Sequence, residues 1–118
     1  MKAAVPKALN VFQLGLKTKG LKMVFGTDAV AGSHGRNFEE LEYRVRAGGQ
    51  DPMAAIISAT SLAAESLGLG DHAGSIAPGY AADLIAVDGD PLRDIGALSH
   101  VSFVMIGGRV VKGTGATK

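Results

Sequence analysis

Asp28 and His34 are the residues of this 118-residue chain whose placement points to chemistry. They lie in VFGTDAVAGSHGRN, residues 24–37. There a short apolar run, Met23-Val24-Phe25, stops at Gly26-Thr27-Asp28, and a loop of small residues then carries the imidazole. In parallel α/β architectures chemistry is placed at the C-terminal ends of strands. A carboxylate there can ligate a metal and accept a proton from an attacking water. It can equally do no more than accept hydrogen bonds from loop amides. His34 can be a metal ligand, a substrate contact or a solvated loop residue.

The other candidates are weaker. His72 sits in a turn and His100 flanks a strand, and the three histidines show neither i, i+4 pairing nor an H-x-H pair. They do not enclose a metal, because a zinc site takes three or four protein ligands. Glu39, Glu40 and Glu42 could serve as acid and base, but carboxylates at a helix start are accounted for by the helix dipole and by solvation. No serine stands in a nucleophilic signature. Gly26 and Gly32 enclose five residues with no lysine after them, so a Walker-type phosphate loop fails. Residues 68–73, GLGDHA, fit a loose G-x-G-x-x-A pattern. They follow a helix rather than a strand, which removes the context that motif needs.

Composition narrows the class. The chain is 47% hydrophobic and 5% aromatic, with 17 glycines, no cysteine and no tryptophan. The apolar mass is aliphatic, as in packed α/β proteins, and the length suits one domain of ordinary size. Twelve basic and 11 acidic residues leave a net charge of +1, with no basic block to track phosphates. Nucleic acid is therefore not an expected partner. Without cysteine there are no disulfides, thiolate nucleophiles or Cys-type zinc sites. No apolar run reaches the ~20 residues of a membrane span. MKAAVPKALNVF lacks the apolar core of a signal peptide. A cytoplasmic protein with no membrane partner is the expectation.

The elements that must position Asp28 follow from pattern. Residues 7–18 predict an amphipathic helix with Leu9, Val11, Phe12, Leu14 and Leu16 on a broad apolar side, Pro6 in its first turn and Gly20 at its end. Leu21 to Phe25 reads as a short buried strand. NFEELEYRVRAGG predicts a second helix capped by Asn37, with Arg44 and Arg46 near its C-terminal end. Asp51 as N-cap and Pro52 at N1 open a third, from Met53 to Leu67, stopped by Gly68. Beyond residues 70–74 the character changes. Turn signals at Pro78-Gly79 and Asp88-Gly89-Asp90-Pro91 flank a strand at Leu84–Val87. Gly107-Gly108 joins strands Val101–Ile106 and Arg109–Val111 in a hairpin. The last residues, GTGATK, read as frayed.

Taken in order, VFGTDA, HGRNFEEL, ATSLAAESLGL, GSIAPGYAADLIAVDGDPLRDI and VMIGGRVVK resemble the C-terminal end of the metal-dependent amidohydrolase superfamily. The branch is that of the imidazolonepropionase-like and Xaa-Pro dipeptidase-like hydrolases. The resemblance spans about residues 7–112. It implies an α/β fold: residues 1–70 as the last strand and flanking helices of a (β/α)8 TIM barrel, and residues 71–118 as part of its β-sandwich. It implies a divalent metal, zinc in the first place, and hydrolysis of a C–N bond in a small amide, dipeptide or cyclic amide. In such enzymes the eighth barrel strand ends on an aspartate that binds the metal and acts as general base. Asp28 falls on that position, and His34 falls on a loop where residues of this branch contact substrate.

The family's H-x-H on the first strand is absent, as are its bridging lysine or glutamate and its later strand-end histidines. A (β/α)8 barrel takes roughly 250 residues. The expectation is the last piece of a longer enzyme, whether truncated, split or a gene remnant, with Met1 an internal start. Such a piece is expected to be inactive alone. Its strand at 21–27 is expected to lack barrel neighbours, so that it pairs with the remaining barrel segment, self-associates or packs loosely. One rival is a non-catalytic interaction or oligomerisation module; another is a small ligand-binding module using loop 28–37.

Overall fold

Local chemistry sets most of the element ends. The computed structural model describes residues 4–114. They form α1 (Ala4–Lys17), α2 (Phe38–Arg46), α3 (Pro52–Ala59), α4 (Ser61–Ser66), β1 (Leu84–Val87), a 3-10 turn (Ile95–Ser99), β2 (Val101–Ile106) and β3 (Arg109–Lys112). The fraying expected over 113–118 falls largely on residues 115–118, which lie outside the described residues, as does Met1. Pro6 stands in the first turn of α1, where a missing N–H costs no helical bond. Asp51 accepts the Ala54 amide at 2.9 Å and Pro52 opens α3. Asn37 departs from expectation: its backbone is already helical and its side chain makes no cap. The amides it would have served, on Glu39 and Glu40, donate instead to the carbonyls of Arg36 and Asn37.

The helix expected from Met53 to Leu67 is two helices, broken at Thr60 (φ −126°, ψ −99°). The Thr60 hydroxyl donates to the Ile56 carbonyl at 2.8 Å, and the Thr60 amide moves to the Ile57 carbonyl at 3.2 Å. A threonine side chain that competes for the i−4 carbonyl weakens the ladder at that point. Gly74 packs into the break. A Cβ there would lie 2.7 Å from the Thr60 carbonyl oxygen, 2.8 Å from the Ala64 Cβ and 2.9 Å from the Ser61 Cα.

Residues 21–30 correct the strand expected at Leu21–Phe25. They carry no β-ladder, and Leu21 is 55% exposed rather than buried. Exposure nevertheless alternates residue by residue from Lys22 to Val30: odd positions lean on the helices and even positions look outward. That is the period of a strand, without a neighbour among the described residues to complete it. Three contacts tether the segment. Phe25 N–H donates to the Ser58 carbonyl at 2.9 Å, Arg44 reaches the Val24 carbonyl at 3.3 Å, and Lys22 pairs with Glu65.

The chain's second half forms one antiparallel sheet in the order β1-β2-β3, with Leu84 opposite Met105 and Ile106 opposite Arg109. Gly107 (φ 55°) and Gly108 (φ 80°) both take the left-handed backbone that a two-residue hairpin turn requires. The turn is anchored to the chain entering β1. Gly107 N–H donates to the Asp83 carboxylate at 2.7 Å and Gly108 N–H to the Ala82 carbonyl at 3.0 Å.

Leu41, Ala55 and Ile95 form the core, joined by Phe25, Val45, Ile56, Ala59 and Leu98. It sits where α2, α3, the 3-10 turn and the extended segment meet. The core is small for the chain. The molecule exposes 8338 Å² at 12.0 kDa, against roughly 6,000 Å² for a folded monomer of that mass. On α1 the expected broad apolar side is only partly covered, with Val11 70% and Leu14 66% exposed. Among the described residues no helix is long and apolar enough to cross a membrane.

Arg46 links α2 to the 3-10 turn, donating to Glu42 at 3.2 Å and to Asp94 at 2.9 Å. The Gly96 N–H, and then the Arg46 guanidinium, hold the Asp94 carboxyl below its ordinary value of 3.8. A carboxyl depressed by folding stabilises above its unfolded pKa and loses that contribution as the pH falls through the folded one. Asp94→Asn is therefore expected to lower the thermal midpoint near neutral pH. The gap to the parent chain should close progressively once the pH falls below 3.8. Thermal melts of both chains across that range check it.

Candidate functional site

Asp28 is exposed near the end of the extended segment, beside the start of α2. Its φ is +46°, the one positive value at a non-glycine among the described residues. Such a backbone is tolerated by Asp and Asn better than by other residues, and it costs on the order of 1 kcal/mol or more. The following loop, residues 31–37, is a run of turns in which Ser33 N–H donates to the Val30 carbonyl and Arg36 N–H to that of Ser33. Loop and segment together open a cavity of about 410 Å³, lined by Thr27, Asp28, Ala29, Val30, Ser33, Arg36, Asn37, Glu39 and Glu40.

The charges around that cavity are mostly spent on one another. Arg36 grips Glu39 through two bonds, Nε to Oε1 at 2.7 Å and Nη2 to Oε2 at 2.9 Å. Its hydrogen bond to Glu39, then the charge of that carboxylate, raises the guanidinium pKa above its ordinary value. Arg44 holds Glu40 at 3.0 Å, and Glu42 pairs with Arg46. The three glutamates are thus structural partners of arginines one helical turn away. The Asp28 carboxylate shares in neither of the pairs that border its cavity.

The structure does not bring the histidines together. His34 is exposed on the loop and lies outside the cavity lining. His72 is exposed in a turn, where its carbonyl accepts the Ala81 amide at 2.7 Å. His100 is exposed beside β2, its Nδ1 3.2 Å from the Ser99 hydroxyl. In the 68–73 loop the amides of Gly68, Leu69, His72 and Ala73 are all used by backbone carbonyls, so they do not converge on a phosphate.

Arg44 is the residue that sequence reasoning passed over. Read as a charge near a helix end, it is 9% exposed and lies between two rings, 5.4 Å from the Phe12 centroid and 5.5 Å from that of Phe25. The one available signal was a cation at i, i+4 from Glu40 with phenylalanines in both flanking elements.

A divalent metal needs several converging donors. Among the described residues no group of three or more His, Cys, Asp or Glu side chains is placed to hold one. Asp28 by itself does not make a complete metal site.

The fold recurs in known proteins. Ochratoxinase of Aspergillus niger is 34% identical over 119 residues, covering 98% of this chain and 24% of that protein; its crystal structure superposes with a TM-score of 0.81. A Xaa-Pro dipeptidase with methionine bound in its active site gives a TM-score of 0.85 at 42% identity, over 92% of this chain and 26% of that one. A prolidase complexed with N-methylphosphonate-L-proline gives 0.76 at 34% identity, over 90% of this chain and 26% of that one. The chain thus spans about a quarter of the length of the relatives it matches. It is an α/β piece of a larger fold, and its match to the amidohydrolase family runs over residues 7–111. This chain belongs to the amidohydrolase family.

Proposed function

We propose that this chain supplies the last barrel segment, part of the β-sandwich and one catalytic carboxylate of a metal-dependent amidohydrolase acting on a C–N bond in a small amide, dipeptide or cyclic amide. The observation that carries the reading is Asp28, an exposed carboxylate in a left-handed backbone near the end of a strand-like segment, where it lines a cavity. A residue held in a sparsely populated conformation marks a place where geometry is set by something other than local preference. A divalent metal, zinc in the first place, would supply an activated water there. Asp28 would be its one ligand from this chain, with an oxygen placed to take the proton. His34, on the loop beyond, would contact the substrate. The hydrolase relatives support the reaction class: ochratoxinase, and a dipeptidase acting at Xaa-Pro.

Alone, the chain is proposed to be inactive, because one carboxylate does not hold a catalytic metal. The test is complementation. The 118-residue chain is co-expressed with a dipeptidase-like relative deleted for its own C-terminal quarter, and the complex is assayed with Xaa-Pro dipeptides and zinc. Hydrolysis is expected from the pair and from neither part. Hydrolysis by the purified chain alone would overturn the reading.

A second reading, a non-catalytic interaction or oligomerisation module, is favoured by one observation. Leu21 and Val30 stand 55% and 67% exposed on a segment with no strand neighbour among the described residues. A strand edge and apolar surface of that kind recruit another chain. A stable metal-free homo-oligomer that rejects the complementing fragment would select it.

A further inference from the structure

We infer that Arg44 is a positioning residue for Asp28: with the carbonyl of Ser58 it clamps a single peptide unit, the one joining Val24 to Phe25. This rests on the reading of Asp28 as the chemically active group.

The segment 21–30 has no ladder to decide which of its faces looks outward. Since side chains alternate with a period of two, a slip or half-turn of the segment would bury Asp28 against the helices and expose Phe25 and Thr27. Two contacts prevent it. Arg44 Nη1 donates to the Val24 carbonyl at 3.3 Å, and Phe25 N–H donates to the Ser58 carbonyl at 2.9 Å. The C=O of residue 24 and the N–H of residue 25 belong to the same planar trans peptide and point to opposite sides. One edge of that plane is therefore held from α2 and the other from α3. Asp28 is four residues beyond Val24, on the same parity, so the orientation of the clamped plane is carried to it.

Both jaws are built for the purpose. The Arg44 guanidinium is fixed by Glu40 on one side and lies over the rings of Phe12 and Phe25. A planar, delocalised cation can stack and donate at once, which an ammonium does less well. The Ser58 carbonyl lies at the end of α3, next to the break that the Thr60 hydroxyl makes by taking the Ile56 carbonyl. In an unbroken helix the Ser58 carbonyl would accept the amide four residues on; here it accepts from Phe25.

The experiment uses the ¹⁵N-labelled 118-residue chain and follows amide exchange and amide shifts. Arg44→Met keeps an apolar stem between the two rings and removes the donor. It is expected to speed exchange of the Phe25 amide about tenfold and to displace the amides of Gly26, Thr27 and Asp28. Exchange in α3 should be unchanged, and Arg44→Lys should recover part of the protection. Phe25 exchange and 26–28 shifts equal to those of the parent would overturn the proposal. If Arg44→Met does not fold, Thr60→Ala tests the other jaw. Without the competing hydroxyl the Ser58 carbonyl returns to a continuous helix, and the same three amides should move. Unmoved amides with a healed helix would overturn the clamp. None of these readouts needs catalysis, so their failure bears on the clamp and not on the chemistry of Asp28. A failure of Asp28's chemical role would appear only in the complemented enzyme.

Discussion

Asp28→Asn is expected to lower hydrolysis by the complemented enzyme about a thousandfold, with the assembly intact. The figure lies within the range that a positioned acid or base contributes, and it corresponds to about 4 kcal/mol of transition-state stabilisation. Asparagine is the informative replacement because it tolerates φ 46° as aspartate does, so a loss of rate is not a loss of backbone geometry. Steady-state kinetics on both complexes, with melts beside them, check this. A pair of stability variants separates backbone from chemistry. Asp28→Gly should be as stable as the parent, whereas Asp28→Ala should be about 1 kcal/mol less stable, because alanine pays the left-handed penalty without a polar side chain to offset it. Both should be inactive in the complex.

The second large effect concerns Gly74. Its φ is +83°, and an added Cβ would stand under 3 Å from three atoms at the α3–α4 break, two of them backbone. Backbone atoms cannot swing away as the end of a long side chain can. The left-handed conformation alone costs a non-glycine roughly 1–2 kcal/mol, and forcing volume into a packed site adds about 1–3 kcal/mol more. Gly74→Ala should therefore destabilise by about 3 kcal/mol, read as a fall in the urea midpoint. Gly79, with nearly the same φ (+84°) but nothing within 4 Å of its absent Cβ, should cost only the conformational part when changed to alanine. A Gly74→Ala chain no less stable than Gly79→Ala would show that the break is not held by this contact.

The parts of the fold legible in the sequence are those decided within a few residues. Gly107-Gly108 between two apolar runs specifies a hairpin because the turn demands positive φ at both positions, and β2 and β3 form there. Asp51-Pro52 specifies a helix start because one residue supplies an acceptor and the next gives up no needed donor. The parts that were not legible depend on distant partners. Thr60 sits at a helical position in the apolar pattern, and only its hydroxyl's competition for Ile56, with Gly74 packed against it, divides the helix. Leu21–Phe25 has the composition of a buried strand, but a strand needs a neighbour to pair with, and none lies among the described residues. Arg44 looks like a solvated charge until Phe12, Phe25 and the Val24 carbonyl, from two other segments, are folded around it.

The same division holds for the site. Asp28 stands out in the sequence because it follows an apolar run and a Gly-Thr pair, a local pattern, whereas its left-handed backbone is seen only in the structure. The glutamates' partners were within reach of helical spacing, since Glu40–Arg44 and Glu42–Arg46 are i, i+4 pairs. His34 stands exposed and outside the cavity lining.

Anomalous diffraction from crystals of the zinc-loaded, complemented complex decides whether Asp28 ligates the metal. A metal peak is expected at about 2.0–2.2 Å from an oxygen of Asp28, with the remaining ligands contributed by the complementing fragment. A metal centre assembled entirely from that fragment, with the Asp28 carboxylate turned away to accept hydrogen bonds from its own loop, would contradict this expectation.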